Sequence, residues 1–108
     1  MNHEAKNSLQ KMIDDTVVLL NKRKLTDAIL SAQTVSDLAE AEHDYYIYAT
    51  AQNLMGVSYV AAGNEMSAVD CYLRGLSCCL EHQIDALFPL FYINLGSRYQ
   101  EANDHKTA

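Results

Sequence analysis

The residues with the clearest potential for chemistry are two adjacent thiols and an imidazole, at Cys78, Cys79 and His82. Cys78 and His82 stand one helical turn apart, so on a helix they would share one face, and thiolates and imidazoles are both zinc ligands. A closed zinc site takes four ligands, and no second Cys or His pair stands at a matching spacing. We therefore interpret these thiols as packing residues and predict no metal site and no cofactor. A small metal- or redox-sensing protein that uses these three residues is an alternative hypothesis.

For the third thiol, Cys71, the sequence predicts neither a disulfide bond within the chain nor a catalytic role. Cys71 stands two helical turns before Cys78 on the same predicted helix, about 10 Å away along the axis, which is too far for a disulfide bond. A catalytic Ser or Cys would need a base beside it or a sharp glycine turn that presents it, and residues 63–65 and 95–97 provide neither. The sequence therefore predicts no catalytic residues, and we do not expect this segment to be an enzyme.

The charge balance and the lack of long apolar runs exclude several classes of function. The 108-residue chain has 8 basic and 14 acidic residues, and its formal net charge of −6 would repel nucleic acid and anionic membrane surfaces. No apolar run approaches the ~20 residues of a membrane-spanning helix. Met1 is followed by polar residues rather than by a secretion signal, which predicts a cytoplasmic location with reduced thiols.

Apolar residues recur at helical spacing along the whole chain, and no segment shows the alternation of a strand. The spacing predicts five helices and the first turn of a sixth. The first helix ends near Arg23, and Thr26 or Asp27 caps the second. The third runs from Tyr45 through Gly56, and the fourth from Glu65 to His82. Asp85 caps the fifth, Asn103–Asp104 ends it, and residues 105–108 start the sixth. Gly63 suits a left-handed turn, and Asn64 can cap the fourth helix. The predicted fold class is all-α.

The chain repeats itself at an interval of 40 residues. The residues Gly56, Tyr59 and Ala68 recur at that interval as Gly96, Tyr99 and Ala108. Three matches at one interval indicate a repeated structural unit. A glycine inside a helix costs about 1 kcal/mol relative to alanine, so we expect Gly56 and Gly96 to permit close contact with the following helix.

These residues resemble the tetratricopeptide repeat (TPR) family, whose hairpins carry an aromatic residue, Leu-Gly and Tyr on the first helix and an Ala-x-x-x-aromatic pair on the second. The resemblance assigns a repeat-packing role to Met55, Gly56, Tyr59, Ala68, Tyr72, Tyr92, Leu95, Gly96 and Tyr99. The period departs from the usual length of about 34 residues, and Gln52 stands where an aromatic residue is usual. The resemblance implies antiparallel helical hairpins stacked as a short right-handed α-solenoid of the long-period, 40-residue kind.

The resemblance also implies a single domain. Residues 1–7 are expected to be frayed, residues 8–41 to form a degenerate first hairpin, residues 42–83 a second, and residues 84–108 an incomplete third. An incomplete hairpin predicts that the chain is a fragment of a longer protein, or that another chain covers its last helix. Repeats of this period are similar to the N-terminal regulatory segments of bacterial signalling proteins, including GGDEF-type diguanylate cyclases. A stand-alone TPR adaptor or co-chaperone is the alternative.

In the family's geometry the first helix of each hairpin lines the concave side, which implies a partner-binding surface on the third and fifth helices. We call this surface the first-helix face, and its predicted residues are Thr50, Asn53, Val57, Val60, Leu90, Ile93, Asn94, Ser97 and Gln100. The set is mixed and uncharged, so it suits an apolar helix or an extended peptide rather than a C-terminal carboxylate. The alternative, that Val57, Leu90 and Ile93 only cover neighbouring helices, stays open.

Tyr45, Tyr46 and Tyr48 cannot all point in one direction on a helix, so we expect at least one to be exposed or to lie in an interface. Tyrosine is enriched among the residues that dominate binding energy, which makes self-association through this stretch a hypothesis. The alternative is packing on the first hairpin. The predicted function is binding of a protein or peptide partner by a regulatory module of a signalling protein.

Overall fold

The structure is a computed structural model that describes residues 3–107 of the chain. These residues form five α-helices and one turn of 3-10 helix, and they include no β-strand. The elements are α1 (His3–Asn21), α2 (Leu25–Ala41), α3 (Tyr45–Ala61), α4 (Glu65–His82), a 3-10 turn (Asp85–Leu87) and α5 (Phe88–Thr107). The predicted all-α fold is confirmed. None of the described helices is both long and apolar enough to cross a bilayer.

The predicted starts of two helices are wrong. Helix α2 begins at Leu25, so Thr26 and Asp27 lie in its first turn, and Lys24 before it makes no side-chain capping bond. Asp85 does not cap α5 either, because it belongs to the 3-10 turn that precedes that helix. Thr and Asp side chains also occur inside the first turn of a helix, where an acidic group complements the helix dipole. These residue types therefore do not determine at which residue the helix begins.

Helix α5 is longer than predicted. It runs without interruption from Phe88 to Thr107, so Asn103–Asp104 does not end it, and residues 105–107 continue it instead of starting a sixth helix. Ala108 lies outside the described residues. Asn and Asp lower helix propensity by less than about 1 kcal/mol each, which is too little to end a helix without a turn residue behind them.

Turns of one geometry connect the helices and recur every 20 residues. The residues with positive φ are Arg23 (62°), His43 (59°), Gly63 (82°) and Gln83 (56°). The residue after each donates its backbone N–H to a carbonyl oxygen five residues earlier, as Asn64 does to Tyr59 at 2.9 Å, which is the Schellman pattern. The predicted left-handed backbone at Gly63 is confirmed. Asn64 also caps α4 as predicted, by accepting the Ser67 N–H at 3.2 Å.

The 40-residue repeat in the sequence is also a repeat in three dimensions. Buried residues of α3 that share clusters with α2 are Ile47, Ala51 and Met55. The residues one repeat later are Leu87 of the 3-10 turn and Phe91 and Leu95 of α5. They lie in a buried cluster with Ala68, Tyr72, Cys78 and Cys79 of α4. The contact between α2 and α3 and the contact between α4 and α5 therefore use equivalent positions.

One pair of equivalent positions exchanges large and small side chains between the two copies. Val35 of α2 and Ala51 of α3 belong to one buried cluster. Their counterparts one repeat later are Gly75 and Phe91, and a Cβ atom on Gly75 would overlap the Phe91 ring. The aromatic ring of α5 occupies the space that the glycine of α4 leaves. The register of the two copies is thus the same although the residue sizes are reversed.

Within the second hairpin, a glycine again receives an aromatic ring. A Cβ atom on Gly56 of α3 would overlap the ring of Tyr72 of α4, whose side chain is buried. One repeat earlier, Thr16 of α1 stands at the position of Gly56, and its hydroxyl forms a hydrogen bond with that of Ser31 of α2. The space that Gly56 leaves for the Tyr72 ring is therefore the reason for a glycine in the middle of α3.

Gln52 is buried where the TPR pattern prefers an aromatic residue, and its hydrogen bonds explain how. Its Nε2 donates to Ser36 Oγ of α2 at 2.8 Å, and its Oε1 accepts from Arg74 Nε of α4 at 3.2 Å. A buried amide is tolerated when both of its ends are paired. Gln52 therefore links three helices by hydrogen bonds instead of by aromatic packing.

Three residues predicted to pack in the third hairpin do not do so. The side chains of Tyr92 and Tyr99 are 58% and 59% exposed, and a Cβ atom on Gly96 would meet no atom within 4 Å. Helix α5 turns Phe91 and Leu95 toward α4, and no described helix covers the adjacent side of α5 that carries these three residues. The same residue types that are packed on α3 are therefore exposed on α5.

This difference predicts opposite effects of one substitution at three glycines. Gly96→Ala should stabilise the protein by about 0.5–1 kcal/mol, because alanine favours the helix and its methyl group meets nothing. Gly56→Ala and Gly75→Ala should destabilise it by roughly 1–3 kcal/mol, because the methyl group displaces a buried ring. Urea unfolding followed by circular dichroism measures all three. A loss of stability in Gly96→Ala, or none in the other two, would contradict the described packing.

Candidate interaction site

The predicted first-helix face lies on the adjacent helices α3 and α5. Asn94 Nδ2 of α5 donates a hydrogen bond to Asn53 Oδ1 of α3 at 2.6 Å, so the two first helices meet directly at this face. Leu90 and Ile93 are exposed beside this bond, at 37% and 66%. The structure thus places an amide pair and two accessible aliphatic side chains on one face.

The remaining predicted residues of this face fall into two groups. Ser97 and Gln100 of α5 are exposed, whereas Val57 and Val60 of α3 are half-buried and pack against the main core cluster. The two valines therefore contribute to packing at least as much as to the surface. The accessible part of the first-helix face lies mainly on α5.

Sequence reasoning did not assign Tyr46 to the predicted site, although it extends the site along α3 beyond the predicted Thr50. Tyr46 is 50% exposed, and Thr50 Oγ1 donates to the Tyr46 carbonyl oxygen at 2.9 Å. The spacing of Tyr46 to Thr50 and Asn53 is that of one helical face, which is the signal that could have included Tyr46. Tyr45 and Tyr48 point elsewhere and are half-buried. The prediction that at least one of the three tyrosines is exposed is confirmed.

A second concavity is a polar cleft where α2, α3 and α4 meet. Its volume is about 420 Å³, and its titratable lining residues include Glu40, His43, Arg74, Glu81 and His82. The ring of His82 stacks on Tyr45, with ring centroids 3.5 Å apart and planes 6° from parallel. His43 Nδ1 lies 3.0 Å from the Tyr45 hydroxyl. Tyr45 therefore engages both histidines of the cleft.

The thiols beside this cleft are buried and are held in the neutral form. Cys78 Sγ donates to the Tyr45 carbonyl oxygen at 3.6 Å, and Cys79 is fully buried. Burial, with the nearby Cys79, raises the pKa of Cys78 from 9.0 to about 11, and burial also raises the pKa of Cys79. Metal ligation and redox chemistry need the thiolate. This arrangement therefore does not support the hypothesis of a metal or redox sensor at Cys78, Cys79 and His82.

The third concavity is a groove between the N-terminal part of α4 and the C-terminal part of α5. Its volume is about 430 Å³, and its apolar lining comes from Met66, Val69, Tyr99 and Ala102. Arg98 Nη1 of α5 bonds to Glu65 Oε1 of α4 at 2.7 Å beside it. Met66 is 82% exposed. Sequence reasoning missed this groove, because the residues that line it belong to two helices and only their relative position creates it.

Comparison with known proteins shows the fold. No protein-family model and no curated protein sequence matches the chain. Among solved structures, the chain is similar to the TPR domain of Arabidopsis FLU, with a TM-score of 0.85 and 18% sequence identity over 93% of this chain and 84% of that domain. The chain has a TPR-like fold. The predicted arrangement of stacked helical hairpins is therefore confirmed.

The raised thiol pKa predicts that alkaline pH destabilises the TPR-like domain. Above pH 9.0 an unfolded thiol loses its proton while folded Cys78, with a pKa of about 11, keeps it, so the free energy of unfolding should fall between these values. Tyr72, whose pKa burial raises from 10.0 to about 12, adds to the fall at higher pH. Urea unfolding across this range measures the effect, and Cys78→Ala should make the decline shallower. A free energy that rises with pH across this range would contradict the described burial.

Proposed function

We propose that this chain is a protein-interaction module that binds a segment of a partner protein on its first-helix face. The observation that carries the proposal is the hydrogen bond between Asn53 and Asn94, which joins α3 and α5 into one surface. Beside that bond, Ile93 and Leu90 are exposed although both are large aliphatic residues. An exposed aliphatic cluster next to paired amides offers both burial and orientation to a peptide.

The chemistry of the face indicates what kind of segment it binds. Ser97, Gln100 and the two asparagines supply neutral hydrogen-bond donors and acceptors, while Leu90 and Ile93 supply apolar contact. The predicted residues of this face include no lysine or arginine that could pair with a C-terminal carboxylate. We therefore propose an internal segment with one or two apolar anchors, bound as a helix or as an extended strand.

The wider role of the module rests on the sequence resemblance. Control of a diguanylate cyclase in a bacterial signalling protein stays a prediction, and so do a stand-alone adaptor role and a cytoplasmic location. Self-association through the tyrosine cluster also stays a prediction, and the 50% exposure of Tyr46 is the observation that favours it. Light scattering over a range of protein concentrations distinguishes a self-associating chain from a monomer.

Binding on the first-helix face predicts a specific loss of affinity on substitution of Ile93. Peptides selected from a displayed random library on the immobilised chain would serve as probes. Ile93→Asp should weaken their binding by at least roughly tenfold, because it places a charge at the apolar centre of the face. Its effect on unfolding should stay within about 0.5 kcal/mol, since the side chain is 66% exposed.

The matched control is Leu73→Asp, which changes a 44% exposed leucine on α4, outside the face. This variant should bind the selected peptides as tightly as the unchanged chain does. Equal binding by Ile93→Asp and the unchanged chain would refute the proposed site. Failure to enrich any peptide would also count against the proposal.

A further inference from the structure

We propose that the uncovered side of α5, together with the groove between α4 and α5, is a second interaction surface that accepts an amphipathic helix from a separate protein. We call it the glycine face and define it by Tyr92, Gly96 and Tyr99. The docked helix would run antiparallel to α5 and would place an aromatic side chain against Gly96. This surface is separate from the first-helix face, so the inference does not depend on the function proposed above.

On α1 and α3, a helix covers the face that corresponds to the glycine face. On α3, Gly56 stands one repeat before Gly96 and receives the ring of Tyr72 from α4. On α1, Thr16 stands one repeat earlier still and contacts Ser31 of α2 through a side-chain hydrogen bond. On α5, no neighbouring atom of the described residues lies within 4 Å of a Cβ built on Gly96. The internal repeat thus shows what kind of element covers this face.

The groove between α4 and α5 also has a covered counterpart in the preceding repeat. Val69 and Tyr99 line it, and the residues one repeat earlier are Ile29 and Tyr59. Those two pack against a buried cluster that contains Cys71 of α4. The space of about 430 Å³ between α4 and α5 is therefore equivalent to one that a helix fills in the preceding hairpin.

The charge of the groove indicates the kind of partner. Among the side chains that the structure describes, the charged ones that line the groove are Glu65, Asp70, Glu101 and Arg98. The residues one repeat earlier, which stand beside the covered groove, are the uncharged Leu25, Leu30, Ala61 and Ser58. An excess of acidic over basic side chains favours a helix whose edges carry lysine or arginine. Because each chain has a net charge of −6, a second copy is a poor match for this rim.

The probe that tests the inference is a synthetic helical peptide. It keeps the Ala-x-x-x-Tyr spacing of Ala68 and Tyr72 on one face and carries lysine at the edge positions. Isothermal titration with the full chain should show one peptide bound per chain. Replacing the peptide's tyrosine by alanine, or its lysines by glutamate, should each weaken binding by at least roughly tenfold.

Variants of the protein locate the site. Gly96→Leu should weaken binding of the peptide by at least roughly tenfold, because the leucine fills the place of the incoming ring. Since nothing lies within 4 Å of that position, the variant should remain folded, and its melting curve verifies this. Tyr99→Asp is the second variant and keeps the test decisive if Gly96→Leu does not fold. Ile93→Asp is the control, and it should bind the peptide normally.

Several results would overturn the inference. The first is the absence of measurable peptide binding. The second is that Gly96→Leu and Tyr99→Asp both bind the peptide as tightly as the unchanged chain does. The third is that the peptide with glutamate edges binds as tightly as the peptide with lysine edges. If the chain self-associates and Gly96→Leu abolishes that self-association, the glycine face binds a second copy. That result would overturn the choice of a separate partner. Loss of peptide binding in Ile93→Asp alone would place the peptide on the first-helix face instead.

Discussion

The ring of Phe91 packs against the backbone of α4 because residue 75 has no side chain, and the ring of Tyr72 packs against α3 at Gly56 in the same way. In both pairs the glycine precedes the ring by 16 residues, with a short turn midway between them. The turn and the contact together fix how each helix aligns with the next. Removal of a buried ring of this size costs about 3–5 kcal/mol, a large part of the stability of a small domain. The positions of all exposed faces depend on these contacts.

The turns set the spacing on which these contacts rely. Helices α2 and α3 each contain 17 residues, and with a three-residue turn each makes a 20-residue step. Two such steps give the 40-residue period, so each helix is about one turn longer than in a TPR unit of about 34 residues. Longer first helices present a longer surface.

Local patterns made the helices and the repeat predictable from the sequence. Helical spacing, the Gly63-Asn64 break and the recurrence of Gly56 at Gly96 needed no knowledge of what lies opposite each residue. The left-handed turns at Arg23, His43 and Gln83 were not predictable, because the helices on both sides impose a backbone that these residue types do not signal. The Gly75 and Phe91 contact was also missed, since it joins residues of two helices across a turn.

The candidate sites show the same limit. Tyr92, Gly96 and Tyr99 match residues that pack on α3, yet they are exposed, because burial depends on whether a helix lies opposite. Conversely, Val57 and Val60 match the expected concave face, yet they pack partly into the core. A residue pattern identifies the repeat position of a side chain. Only the arrangement of helices decides whether that position is a contact or a surface.

The contact between α4 and α5 is the contact between α2 and α3 with its residue sizes reversed, and a double-mutant cycle tests this equivalence. Gly75→Val and Phe91→Ala together recreate the pair of Val35 and Ala51. Each single change should destabilise the protein, and urea unfolding of the double variant should show roughly 0.5–3 kcal/mol less destabilisation than the sum of the two. Strictly additive losses would contradict the account.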